Sequence, residues 1–186
     1  MDNLFIIIVL LPALLFVVGS DLLYRRIHNL LILLLLALWL VLPVSAVFGF
    51  GPWGTMSSAE LFDQVAYGLL GAMLVLVIGF GLFCLGRVGA GDIKLVAAVS
   101  LWMCQSDQMA FLIVTALAGG MLALGLPLLN QIEYALALRW QRLGTACPRL
   151  NIPLPVALTE QRPQGIPYGV AIAIGALYTL LVPIHS

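Results

Sequence analysis

Two aspartates are the residues of this sequence best placed to do chemistry. Asp21 closes the first long apolar stretch, and Asp92 opens a later one directly after Gly89-Ala90-Gly91. A carboxylate near mid-membrane costs about 2.5–3.5 kcal/mol on insertion scales and less near an interface, so such residues usually carry a function. Two carboxylates held close cannot both ionise comfortably; they share one proton and offer a base and an acid together. Amide hydrolysis without a metal or a covalent nucleophile needs that combination, a base to activate water and an acid to protonate the departing group. The titration would then belong to the pair rather than to either residue. Gly89 and Gly91 would let the backbone approach a bound peptide closely.

Each residue also has a plainer reading. Asp21 alone could be a solvated residue ending a span, partnered by Arg25 one turn on. Asp92 alone could be an N-cap, accepting from the first free N–H groups of a helix. Lys94 could be a local counter-charge, or a lysine snorkelling to the interface. The two aspartates weigh more together than singly, and the elements that position them decide whether they meet.

Those elements are membrane spans. Of the 186 residues 63% are hydrophobic and only 9% charged, whereas a soluble domain carries about a quarter charged residues. A span needs roughly 20 apolar residues to cross about 30 Å of hydrocarbon. Apolar periodicity places six at 4–20, 30–48, 65–85, 93–104, 109–129 and 168–183, an all-α, polytopic, single membrane-embedded domain over 1–186. The segment 49–64 reads as a turn-rich loop because of Gly49, Gly51, Pro52 and Gly54. The fourth span, 12 residues long, is too short to cross alone. Gly89 to Asp92 therefore reads as lying below the headgroups, where irregular backbone survives only inside protein or beside a water-filled cavity.

Charge sets the orientation. With the N-terminus outside, all 8 basic residues (Arg25, Arg26, Arg87, Lys94, Arg139, Arg142, Arg149 and Arg162) fall on the inner side. Asp2, Glu60, Asp63, Asp107 and the late His185 fall on the outer side, a positive-inside pattern. Only Asp2 is charged ahead of the first apolar run, so that run reads as a retained helix rather than a cleavable signal. In the inner segment 130–167, Ile132, Leu136, Trp140 and Leu143 recur at helical spacing opposite Glu133, Arg139, Gln141 and Arg142. That pattern suits a helix lying on the membrane interface and attracted to anionic lipid. Pro148, Pro153, Pro155, Pro163 and Pro167 then interrupt regular structure. The 3 cysteines and 2 histidines lie too far apart for a metal site or disulfide framework, so no metal or cofactor is expected. Nothing resembles a nucleic-acid patch.

Three motifs resemble a known family. Gly89-Ala90-Gly91-Asp92-Ile93-Lys94 is similar to the GxGD-K motif of type IV prepilin peptidases. The segment from Asp21 through Arg25-Arg26-Ile27-His28 to Asn29 resembles their first-aspartate motif, and Pro167-Tyr168-Gly169 their third signature. The resemblance implies a membrane aspartic endopeptidase with Asp21 and Asp92 as its catalytic pair, supported by Gly89, Gly91, Lys94, Asn29, Pro167, Tyr168 and Gly169. It implies a prepilin substrate, cut on the cytoplasmic side of the bacterial inner membrane, after a glycine preceding the pilin's apolar helix. His28 stands where the family usually has proline. The chain lacks the four-cysteine region of larger, N-methylating members, and so resembles the short peptidase-only form of Tad/Flp pilus systems. Intramembrane carboxylates with a broken helix also fit a small proton-coupled transporter or channel, though the sequence has no internal repeat. A third reading makes the chain an assembly subunit whose aspartates only cap helices. Oligomeric state is left open.

Overall fold

The computed structural model describes residues 3–103, 105–146, 153–159 and 165–182. Asp2, Cys104, Cys147, Pro148, Arg149, Arg162, Pro163 and His185, which entered the expectations above, lie outside them. In chain order the helices are α1 (Asn3–Tyr24), α2 (Asn29–Val47), α3 (Ser58–Cys84), α4 (Ala90–Trp102), α5 (Gln105–Leu124), α6 (Leu126–Ala146) and α7 (Tyr168–Leu181), with one 3-10 turn at Val156–Leu158. The described residues contain no strand. The chain is an all-helical, multi-pass membrane protein. Phe5–Tyr24, Asn29–Val47, Ser58–Cys84 and Asp107–Leu124 are long and apolar enough to cross a bilayer, and Tyr168–Leu181 is a shorter apolar helix. Leu33, Leu40, Met73, Val77, Ile113 and Leu117 lie more than half exposed along these helices. A water-soluble protein rarely leaves such a surface bare, and lipid is the solvent that suits it.

The short helix is the centre of the bundle. At 1.5 Å per residue, the 13 residues of α4 reach only about 20 Å. Leu95, Ala97, Ala98, Val99, Ser100, Leu101 and Trp102 are all buried, among α2, α3 and α7. The last turn of α4 is covered by protein: the side-chain amide of Gln108 donates to the carbonyl of the buried Ser100 at 3.0 Å. Close approach requires glycine nearby, since a Cβ at Gly79 would lie 2.5 Å from Ile93 Cγ2.

Three boundaries differ most from the sequence reading. First, α3 starts at Ser58, seven residues before the expected 65, and takes in much of the expected loop. A capping box explains it: Ser57 Oγ accepts from the Glu60 N–H at 3.3 Å, and the Ser57 N–H donates to Glu60 Oε2 at 2.8 Å. The same helix ends in a Schellman turn. Gly86 at φ 67° donates to the Phe83 carbonyl and Arg87 to the Leu82 carbonyl. Second, α5 stops at Leu124 instead of continuing to 129, because Gly125 breaks the run. Third, α6 begins ahead of the expected inner segment and fills its first half. Its apolar stripe Ile132, Leu136, Trp140 and Leu143 is exposed as expected, but Glu133 is not solvated; it is buried with 6% of its surface accessible. The polar side of α6 faces protein at that position.

Candidate active site

Asp21 sits in the last turn of α1, where Leu10, Leu14 and Val17 line the buried side of the same helix. It is itself 5% exposed. Its partner comes from the far end of the sequence, since the backbone N–H of Gly169 donates to Asp21 Oδ2 at 2.8 Å. Gly169 is the second residue of α7 after the Pro167 cap, so Asp21 satisfies one of the N–H groups that every helix N-terminus leaves without an intrahelical acceptor. The fit tolerates no side chain. A Cβ at Gly169 would lie 2.8 Å from Asp21 Oδ2 and 2.9 Å from Val17 Cγ1.

Asp92 occupies the first turn of α4 and is half-buried. It is not the cap; Gly89 holds that position, and Asp92 reaches back to accept the Gly89 N–H. This is the return half of a capping box. A Cβ at Gly89 would meet Asp92 Oδ2 at 2.7 Å, whereas one at Gly91 would find Ile27 Cβ at an ordinary 3.4 Å. A side chain at the first glycine would push the carboxylate end aside, whereas one at the second meets nothing so close.

Both carboxylates open on one cavity of about 500 Å³, and the Asp21 charge reaches Asp92. Arg25, Arg26, Ile27 and His28 from the α1–α2 turn complete it, with Gly89, Gly91, Gly165 and Ile166. His28 also stacks at a tilt on Phe16, ring centroids 5.7 Å apart. Among the described residues no three His, Cys, Asp or Glu side chains gather in one place. Pro167 is buried, and the Tyr168 ring lies beside Gly119 of α5. Asn29 and Lys94 are not in the aspartate cavity. They line a second, apolar cavity of about 480 Å³ between α2, α3 and α4.

Arg25 does not pair with Asp21, as the sequence spacing suggested. Only its backbone N–H bonds to the Asp21 carbonyl, at 3.0 Å. The residue adopts φ 51°, a left-handed conformation that ordinary side chains enter at a cost of order 1–3 kcal/mol. Its guanidinium turns to Glu133, with Nη2 at 2.8 Å from Oε1 and 3.0 Å from Oε2, while Nη1 donates to the Gly165 carbonyl at 2.9 Å. Beside this pair the Tyr24 hydroxyl accepts from Trp140 Nε1 at 3.0 Å and donates to the Pro153 carbonyl at 3.3 Å. The sequence pattern puts Glu133 on the polar face of α6, and its one distinguishing signal is that it is the lone acid on a helix whose other charges, Arg139 and Arg142, are basic.

The family model of the type IV leader peptidases matches residues 8–124, more than half of the chain and a stretch that holds both aspartates. The chain belongs to this family. No curated protein and no solved structure matches it. As a member of the leader peptidase family it is a membrane peptidase, and the helices α1 to α5 that form the match carry Asp21, Gly89, Gly91 and Asp92. The elements α6 and α7, with Glu133 and Gly169, lie beyond the match.

Proposed function

We propose that this leader peptidase family member is an aspartic endopeptidase that removes the leader from type IV, Flp-like prepilins at the cytoplasmic face of the bacterial inner membrane. Asp21 and Asp92 are its catalytic pair and the 1–186 chain one membrane-embedded peptidase domain. The observation that carries the reading is the shared cavity onto which both carboxylates open, beside Arg25 and Arg26 at one end of an apolar bundle.

The chemistry follows from the pair. A prepilin's apolar helix packs among the spans and presents its leader junction to the cavity, leaving the scissile carbonyl between the carboxylates. The ionised member takes a proton from water as the oxygen attacks; the protonated member donates to the scissile group, and the amine departs as the tetrahedral intermediate collapses. A symmetric pair exchanges these roles over one turnover, so neither residue is permanently the base. Hydrogen bonds from Gly169 and Gly89 hold the two side chains in place while they do so.

The same bonds favour a purely structural reading, in which each aspartate only caps a helix. Asp21→Asn and Asp92→Asn separate the two, because asparagine caps about as well as aspartate and cannot act as a base. With a Flp-type prepilin co-produced, each variant accumulates in membranes at wild-type level, and cleavage falls about 10²–10⁴-fold. Near wild-type cleavage by either variant removes that residue from the pair. Proton or solute flux into liposomes without prepilin cleavage would instead favour a transporter.

A further inference from the structure

Two ties join the end of α1 to the start of α7. Gly169 donates to Asp21, and Arg25, four residues after Asp21, donates to the carbonyl of Gly165, four residues before Gly169. The second tie depends on where the Arg25 guanidinium points. Arg25 lines the same cavity as Asp21 and Asp92, and a cation in a low-dielectric site seeks a carboxylate. Glu133, buried on α6, supplies one with both oxygens. With Nη2 shared between both Glu133 oxygens and Nη1 on the Gly165 carbonyl, two nitrogens of the guanidinium are anchored at once. Without Glu133, the acids that Arg25 faces across its cavity are Asp21 and Asp92.

We propose that Glu133 is a positioning residue for the peptidase reaction: it holds the Arg25 guanidinium out of the aspartate pair and against the Gly165 carbonyl. The Asp21 carboxylate thereby stays seated on Gly169. This rests on the reading of Asp21 as catalytic. It gives α6, which lies beyond the family match, a part in the chemistry beyond its lipid-facing stripe. The buried Glu133 is an acid that the catalytic pair itself does not use.

The test compares wild type, Glu133→Gln and Glu133→Asp in detergent, with exposed Arg139→Gln on the same helix as control and a Flp-type prepilin as substrate. Rates are normalised to folded enzyme. A misplacement of about 1 Å at a reacting group costs up to about 10²-fold. The expected result for Glu133→Gln is a kcat lowered about 10- to 100-fold with KM within about twofold of wild type. Glu133→Asp, which keeps the charge, retains more of kcat than the amide, and carries the comparison with wild type alone if the amide variant does not fold. Wild-type kcat per folded molecule in Glu133→Gln, equal losses in the amide and aspartate variants, or a change confined to KM would each overturn the proposal. A wild-type protein that does not cleave the prepilin would instead overturn the peptidase reading beneath it.

Discussion

Gly169→Ala is the sharpest single perturbation of the site, because local propensity and tertiary packing predict opposite outcomes. Gly169 is the second residue of α7, and alanine is favoured over glycine in helices by roughly 0.5–1 kcal/mol. On propensity alone the variant should be more stable. The added Cβ, however, would lie 2.8 Å from Asp21 Oδ2, 2.9 Å from Val17 Cγ1 and 3.2 Å from Asp21 Cβ. Two of these neighbours cannot swing aside, since Val17 is fully buried and Asp21 Cβ is fixed to α1. Overpacking of this kind costs about 1–3 kcal/mol. Separating α1 from α7 also weakens the 2.8 Å bond to the carboxylate, a class worth about 1.5–3 kcal/mol. The clash and the weakened bond together outweigh the propensity gain by about 2–4 kcal/mol. The expected outcome is a lower Tm in detergent and prepilin cleavage reduced by at least about tenfold per folded molecule. Initial cleavage rates and a thermal melt on the same preparation read both. An alanine variant with raised Tm and wild-type cleavage would refute the placement of Gly169 against Asp21.

Gly89→Ala and Gly91→Ala form a matched pair on the other aspartate. The first Cβ meets the movable end of Asp92 and the second only an ordinary contact with Ile27, so Gly89→Ala should lower kcat several-fold with Tm nearly unchanged while Gly91→Ala stays near wild type. Equal activities in the two would sink the distinction. Ser57→Ala removes the Oγ that receives the Glu60 N–H and should cost about 1 kcal/mol of stability. Because the cap lies at the far end of α3 from the aspartates, cleavage per folded molecule should not change; a loss of activity at constant folded fraction would contradict that separation.

Much of this molecule can be read from patterns local to a helix. The runs at 4–20 and 30–48 became α1 and α2 with small changes, since a run of leucine and isoleucine that long has one outcome in lipid. The shortness of α4 is equally legible, because length is a local property. The start of α3 was also visible in Ser57 and Glu60, whose spacing is a capping signal, but the glycines and proline before them drew the reading toward loop. Glu133 and Gly169 belong to a different kind of information. Their partners, Arg25 and Asp21, lie more than a hundred residues away, and no periodicity says which polar residue on an amphipathic helix turns inward. Gly169 was noticed through a motif, yet the reason for a glycine there became physical only when the Asp21 oxygen was found against it.

The bond between Asp21 and Gly169 joins residues separated by 148 positions. At about 5–20 residues per second of synthesis, Asp21 waits roughly 7–30 s for its partner to be made. Until then the first aspartate has neither its hydrogen-bond donor nor the wall that α7 provides. Chains still being synthesised thus carry an unfinished site.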